Sequence, residues 1–253
     1  MCTIAILRGV LADAPLALAA NRDELYARPA RAPVTLAPGV IGGRDDVLGG
    51  SWLAIAADGR FAAVTNQREP AGPRAPRSRG EWVLAALAAG DRAAMGAYAR
   101  ALDPTAFASG NLVYGDADGV EVAYLRRDGT RAFVELPPGI TILANDRIDA
   151  PGQPKQAHLR AALAEVATWA ELRARGPGAL GDHARPPIVP AMAPGLPVPA
   201  EAWPALQAVC VHTDRYGTRS ATLAAFDRGR IVGLAWADGP PCQTDFVDVA
   251  APG

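Results

Sequence analysis

Cysteine, histidine and lysine are the scarce residues of this chain. Three cysteines (Cys2, Cys210, Cys242), three histidines (His158, His183, His212) and one lysine (Lys155) occur in 253 residues. An odd, low cysteine count argues against a disulfide framework and fits a reducing compartment, expected here to be the cytoplasm. No CxxC pair or local Cys/His cluster has the spacing of zinc ligands, so no metal site is expected. No apolar run approaches the roughly 18 residues that span a bilayer, so no integral membrane segment is expected either. The first twenty residues are largely apolar, but no basic stretch precedes them and Arg8 and Asp13 interrupt them. They read as a buried hairpin rather than a secretion signal. Neither sign of charge dominates: 25 Lys and Arg face 26 Asp and Glu, for a net charge of −1. Such a balance offers no field for nucleic acid. The preference for arginine over lysine reads as genome bias. With no repeat and no linker, residues 1–253 read as a single domain.

What is present is ordinary globular material, 50% hydrophobic and 20% charged, and long enough to bury a core without cross-links. Short β-rich runs separated by turn residues predict strands over Thr3–Arg8, Leu16–Asn21, Gly49–Ala56 and Arg60–Asn66. Asp58-Gly59 supplies a hairpin turn. Residues 27–38 and 67–79 read as loops. Ser78 and Glu81 have capping-box spacing and open a helix with an apolar stripe at Trp82, Val83, Ala86 and Leu87. A second helix runs from about Asp91 to Leu102. Strands return at 111–115, 120–126, 131–136 and 140–145. Residues 153–175 form the longest helical pattern, and 176–204 is an irregular Pro- and Gly-rich stretch expected to wrap the surface without a core. Last come strands at 209–212, 221–227 and 230–237, with a short edge at 246–249. Grouped hairpins with separated helices predict an α+β fold, two mostly antiparallel sheets between helical layers.

Chemistry points first to Cys2. Initiator methionine is removed when the next residue is small, and cysteine qualifies. The product carries a thiol and an α-amine on one carbon. That amine titrates near pH 7.7–8.0, far below a lysine, and can accept the thiol proton with no histidine nearby. The second strand returns toward Cys2 and ends at Asn21-Arg22-Asp23-Glu24. An arginine there can hold a thiolate or a substrate carboxylate, and a carboxylate can orient the terminal ammonium.

Met1-Cys2-Thr3-Ile4 followed by Ala20-Asn21-Arg22-Asp23-Glu24 resembles the NRDE family, also called the transport and Golgi organisation protein 2 family. Further segments resemble it in order: Gly49-Gly50-Ser51-Trp52-Leu53, Ala63-Val64-Thr65-Asn66, Ser78-Arg79-Gly80-Glu81, Asn111-Leu112, Leu143-Ala144-Asn145 and Tyr216-Gly217-Thr218-Arg219-Ser220. The likeness covers almost the whole chain, the stretch 176–204 excepted. It implies the N-terminal nucleophile (Ntn) hydrolase fold, a four-layer αββα sandwich, in agreement with the element order. Wider relatives include cysteine amidases that cleave penicillin V and conjugated bile salts. Carried onto this chain, the resemblance implies Cys2 as nucleophile, Arg22 and Asp23 as its support, and Asn66 and Asn145 as oxyanion donors. In those amidases the arginine and aspartate are spaced apart, whereas Arg22 and Asp23 are adjacent. Asn21, Glu24, Trp52, Arg219 and Ser220 are expected to contact substrate. Cys210 reads as core, and His158 as solvated.

Two functions follow from the resemblance. One is an N-terminal-cysteine amidohydrolase or acyltransferase acting on a small amide or acyl conjugate, with no cofactor required. The other is a non-catalytic carrier of haem or acyl-CoA on the same fold. Haem would require an axial histidine or cysteine with arginines for its propionates, and no diagnostic motif provides them.

Overall fold

A computed structural model describes residues 2–29, 31–148 and 153–252 of the chain. Its strands are β1 (Thr3–Arg8), β2 (Leu16–Leu25), β3 (Val34–Ala37), β4 (Val40–Arg44), β5 (Ser51–Ala56), β6 (Phe61–Asn66), β7 (Gly110–Asp116), β8 (Gly119–Leu125), β9 (Arg131–Glu135), β10 (Gly139–Leu143), β11 (Tyr216–Asp227), β12 (Arg230–Ala237) and β13 (Val247–Asp248). Four α-helices accompany them: α1 (Gly80–Ala89), α2 (Arg92–Ala101), α3 (Pro154–Ala162) and α4 (Trp169–Leu180). One antiparallel sheet has the order β10-β1-β2-β11-β12-β13, the other β3-β4-β5-β6-β7-β8-β9.

The period-2 alternation of the central strands builds the layers. Along β1, Ile4 and Ile6 face one way, with Leu16, Leu18 and Ala20 of β2, and meet Leu53, Phe61 and Val113 of the second sheet. Ala5 and Leu7 face the other way, onto Leu159 of α3 and Leu172 and Leu180 of α4. On the far side, Trp82, Val83 and Ala86 of α1 and Met95 of α2 pack on Ala62, Leu112 and Tyr114. A strand buried on both faces reads as a continuous apolar run, as in β1, where Ile4, Ala5, Ile6 and Leu7 are all buried. The result is the expected αββα sandwich.

Several local expectations need correction. Strand β2 does not stop at Asn21 but runs to Leu25, because β11 pairs with it from Phe226↔Leu16 to Tyr216↔Leu25. The Asn-Arg-Asp-Glu block therefore lies inside a strand instead of after it. The loop expected over residues 27–38 contains β3, and β4 follows it unforeseen. Residues 153–175 divide into α3 and α4, with Thr168 capping α4 by accepting from the Glu171 amide. Helix α4 also extends past residue 176 into the stretch expected to be irregular. The remainder of that stretch has a small core after all, in which Trp203, Leu206 and Val211 gather Val189, Met192, Leu196 and Val198. Residues 209–212 are not a strand, since only His212 bridges to Gly217.

Candidate active site

The antiparallel register of β1 and β2 pairs Thr3 with Asn21, which sets Cys2 across from Arg22 at the end of the sheet. Successive residues of β2 then point to opposite faces. Asn21 turns toward the helical layer, where its Nδ2 donates to Leu180 O (2.8 Å) and Val209 O (3.1 Å). Arg22 turns the other way and joins Cys2 in lining a cavity of about 610 Å³ at the mouth of the inter-sheet layer. That volume lies within the range of small-molecule sites.

Cys2 is nearly enclosed, at 9% exposure, but its side opens on this cavity. Burial pushes its thiol pKa up and the Asp23 carboxylate adds to the rise, while Arg22 and the Asp23 main-chain amide oppose it. The Asp23 carboxyl is also raised by burial, and it is eased by Lys155 and by Thr218, whose Oγ1 donates to Asp23 Oδ1 at 2.7 Å. Lys155 is 2% exposed on α3. Burial lowers its pKa and the Asp23 charge raises it. The buried Lys155 and the buried Asp23 thus favour each other's charged form.

The cavity wall is strongly cationic. Six arginines (Arg22, Arg28, Arg44, Arg74, Arg77 and Arg79) line it, against Asp23, Glu24 and Asp45. Some are neutralised: Arg28 pairs with Glu24 at 3.3 Å and also with Asp45, and Arg77 with Glu81 at 2.6 Å. Arg22 differs. Its Nη1 is buried and has no protein hydrogen-bond partner among the described residues. Arg79 donates to Ser109 O at 2.5 Å. Its pKa is lowered by burial and raised by Glu69 and Cys2.

Two sequence blocks explain how Arg79 reaches the site. Gly50 has φ of +79°, and a Cβ there would lie 2.4 Å from the carbonyl carbon of Gly80. A Cβ on Gly80 would lie 3.1 Å from Ser51 N. The Gly-Gly-Ser-Trp and Ser-Arg-Gly-Glu blocks are therefore in backbone contact, which seats the start of α1 on the start of β5. Glu81 Oε1 accepts from Ser78 N at 3.1 Å, one half of the capping box. Its other half is absent: Ser78 Oγ accepts from Gly80 N at 3.2 Å, and the helix starts one residue later than a Ser78 cap implies.

Of the residues expected at the site, the fold brings Cys2, Arg22, Asp23, Glu24, Trp52 and Asn66 to one cavity. It does not bring Asn21, Asn145, Arg219 or Ser220 into the wall. Asn21 is an internal tie, as described. Asn145, 1% exposed, donates from Nδ2 to the main-chain carbonyl of Asn66 at 2.9 Å, so it holds Asn66 from behind. Ser220 is buried opposite Arg22 in β11. Arg219 falls at the register shift between Thr218 and Ser220, and its guanidinium lies 5.8 Å from the Tyr26 ring. Lys155 and Arg79 were not expected. The sole lysine in an arginine-rich chain was a usable signal for the first, and the Ser-Arg-Gly-Glu block for the second. His158 is exposed, as expected, and its Nε2 lies 2.8 Å from Asp182 Oδ2. No helix among the described residues is long and apolar enough to cross a membrane.

A terminal-strand cysteine at the mouth of an αββα sandwich defines the class of fold, that of the N-terminal nucleophile hydrolases. A mutant conjugated bile acid hydrolase from Clostridium perfringens has this fold with a TM-score of 0.56, covering 100% of this chain and 94% of that one at 9% identity. A second variant of that hydrolase gives a TM-score of 0.50 at 10% identity. Within this class, the chain belongs to the Transport and Golgi organisation 2 family, whose model matches residues 1–234. It is 31% identical over 234 residues to the Transport and Golgi organization protein 2 homolog of Bos taurus, covering 84% of this chain and 82% of that protein. The human homolog is 30% identical over 149 residues, 54% of this chain and 52% of that protein.

Proposed function

We propose that this protein is an N-terminal-cysteine amidohydrolase or acyltransferase acting on a small acyl conjugate with an anionic group. The observation that carries the reading is the pairing of Cys2 with an unpartnered, buried Arg22 donor in one cationic cavity. The reading requires loss of Met1, which lies outside the described residues.

In the mature chain the Cys2 amine takes the thiol proton as the sulfur attacks the carbonyl carbon. Burial opposes ionisation of the thiol and Arg22 favours it, and the neighbouring amine takes the proton that ionisation releases. Asp23, fixed by Thr218, orients the resulting ammonium. The carbonyl oxygen gains negative charge, and Asn66, whose main chain is braced by Asn145, is the side-chain amide on the cavity wall to receive it. Such a donor is worth roughly 3 kcal/mol of barrier. Collapse passes the proton from the ammonium to the leaving nitrogen and leaves a thioester on Cys2. Water, or a second amine, then removes the acyl group. Arg22 holds the substrate anion through its fork of donors.

A panel of N-acyl amides differing only in one carboxylate tests this directly. Turnover of the anionic members and none by Cys2→Ser is the expected result. Failure of every member, anionic or neutral, counts against it.

The same arginine-rich wall supports a second reading, carriage of haem or acyl-CoA without turnover. Titration with haemin and with a long-chain acyl-CoA separates the two. Tight binding of either that survives Cys2→Ser, with no acyl transfer, favours carriage.

A further inference from the structure

The chain has three cysteines and three histidines, and two of each meet at one point away from the cavity. His183, Cys210, His212 and Cys242 each offer one ligand atom, and all four atoms lie within 4.8 Å of one another. We propose that these four residues bind a structural zinc ion, with Cys210 and Cys242 as thiolates and His183 and His212 as neutral imidazoles.

Distances carry the proposal. A tetrahedral zinc with bonds of about 2.3 Å to sulfur and about 2.05 Å to nitrogen sets sulfur atoms about 3.8 Å apart, and sulfur and nitrogen about 3.6 Å apart. Cys210 Sγ and Cys242 Sγ are 3.7 Å apart. His212 Nε2 lies 3.7 Å from Cys210 Sγ and 3.3 Å from Cys242 Sγ. The fourth ligand is already oriented. His183 Nδ1 is 3.1 Å from the Cys210 carbonyl oxygen. Donation there places the proton on Nδ1 and leaves Nε2 with its lone pair, the arrangement that second-shell partners impose on metal-bound histidine. The His183 and His212 rings stand 5.0 Å apart, tilted by 52°.

Four protein ligands close the site, and an S₂N₂ donor set of this shape selects zinc among the common divalent metals. Binding releases two thiol protons to solvent, and the two thiolate charges balance Zn²⁺. Sequence spacing hides the set because its members come from three separate segments: the exit of α4, the approach to β11 and the turn after β12. Cys242 also lies beyond the residues that match the family, 1–234.

Zinc there would clasp the three segments around β11. Cys210 N donates to Asp182 O at 2.9 Å. Val211 N donates to Thr218 Oγ1 at 2.9 Å, and that hydroxyl in turn donates to Asp23. The clasp therefore stiffens the strand that fixes Asp23 from behind, whether or not Cys2 turns over substrate.

Elemental analysis of the full chain, expressed with zinc and cleared of loose metal, tests the assignment. About one zinc per chain is expected in the wild type and in Cys2→Ser, and a small fraction of that in Cys242→Ser and His212→Ala. Stripping the wild type with a chelator should lower Tm. Cobalt added to the stripped protein should then give the intense visible bands of a tetrahedral two-thiolate site, a readout that does not depend on the variants folding. Wild-type protein without bound zinc and unable to take up cobalt overturns the proposal. So does zinc content unchanged by both variants, or an intact mass two hydrogens light, which would mean a Cys210–Cys242 disulfide instead.

Discussion

Cys2 and Arg22 sit opposite one another because of a two-strand register, and their coupling is measurable. The Arg22 charge holds the buried thiol pKa below where burial alone would put it. Arg22→Gln should therefore raise it. The alkaline rise of kcat/KM should move to higher pH, with a loss at neutral pH of about tenfold per pKa unit. A pH–rate profile that only scales down, without moving, would assign Arg22 to substrate binding alone. Lys155 and Asp23 form the second residue-scale pair. Lys155→Met should lower stability, and Lys155→Met/Asp23→Asn should cost less than the two single changes together. A denaturation double-mutant cycle measures the difference. Additive losses would show that the two charges do not interact.

At the scale of elements, the site depends on how strands and helices are brought together. Gly50→Ala meets both a disfavoured φ and the backbone of Gly80, whereas Gly9→Ala, at φ of +60°, meets nothing within 4 Å. The first should cost about 2 kcal/mol or more and the second about 1 kcal/mol, read from urea midpoints. Equal costs would mean that the contact between β5 and α1 carries no weight. Asn21→Ala removes the donor shared by Leu180 O and Val209 O. An unsatisfied buried carbonyl costs about 1–3 kcal/mol, so Tm should fall clearly in a thermal melt. Helix and strand periodicity made most of these elements legible in the sequence. The short apolar, partly β-branched run of β1 and the stripe of α1 needed no other information. The continuation of β2 through Asn21-Arg22-Asp23-Glu24 did not show, because polar residues end a strand pattern unless a partner such as β11 extends the ladder. The split of residues 153–175 was equally hidden, since both halves carry helical residues and Thr168 acts as a cap only once α4 starts there.

The whole molecule explains which site residues could be read in advance. Cys2, Arg22, Asp23, Glu24, Trp52 and Asn66 lie in blocks at or near strand ends, and antiparallel strands of one sandwich bring such ends to a common edge. Asn145, Arg219 and Ser220 are also near strand ends, but side-chain direction turned them away from the cavity wall, and direction depends on register. Lys155 stood out in the sequence only as the sole lysine: its role rests on an electrostatic interaction with Asp23 of β2, across more than a hundred residues. The His183–Cys210–His212–Cys242 group is hidden by the same kind of distance.

Peptide-mapped mass analysis of the native protein after exposure to an electrophilic acyl probe is the most direct test of the central claim. The account predicts a chain beginning at Cys2, with the acyl group on its N-terminal peptide and no such adduct in Cys2→Ser. Retention of Met1 throughout the population, or labelling that falls on Cys242 and ignores the Cys2→Ser change, would contradict it.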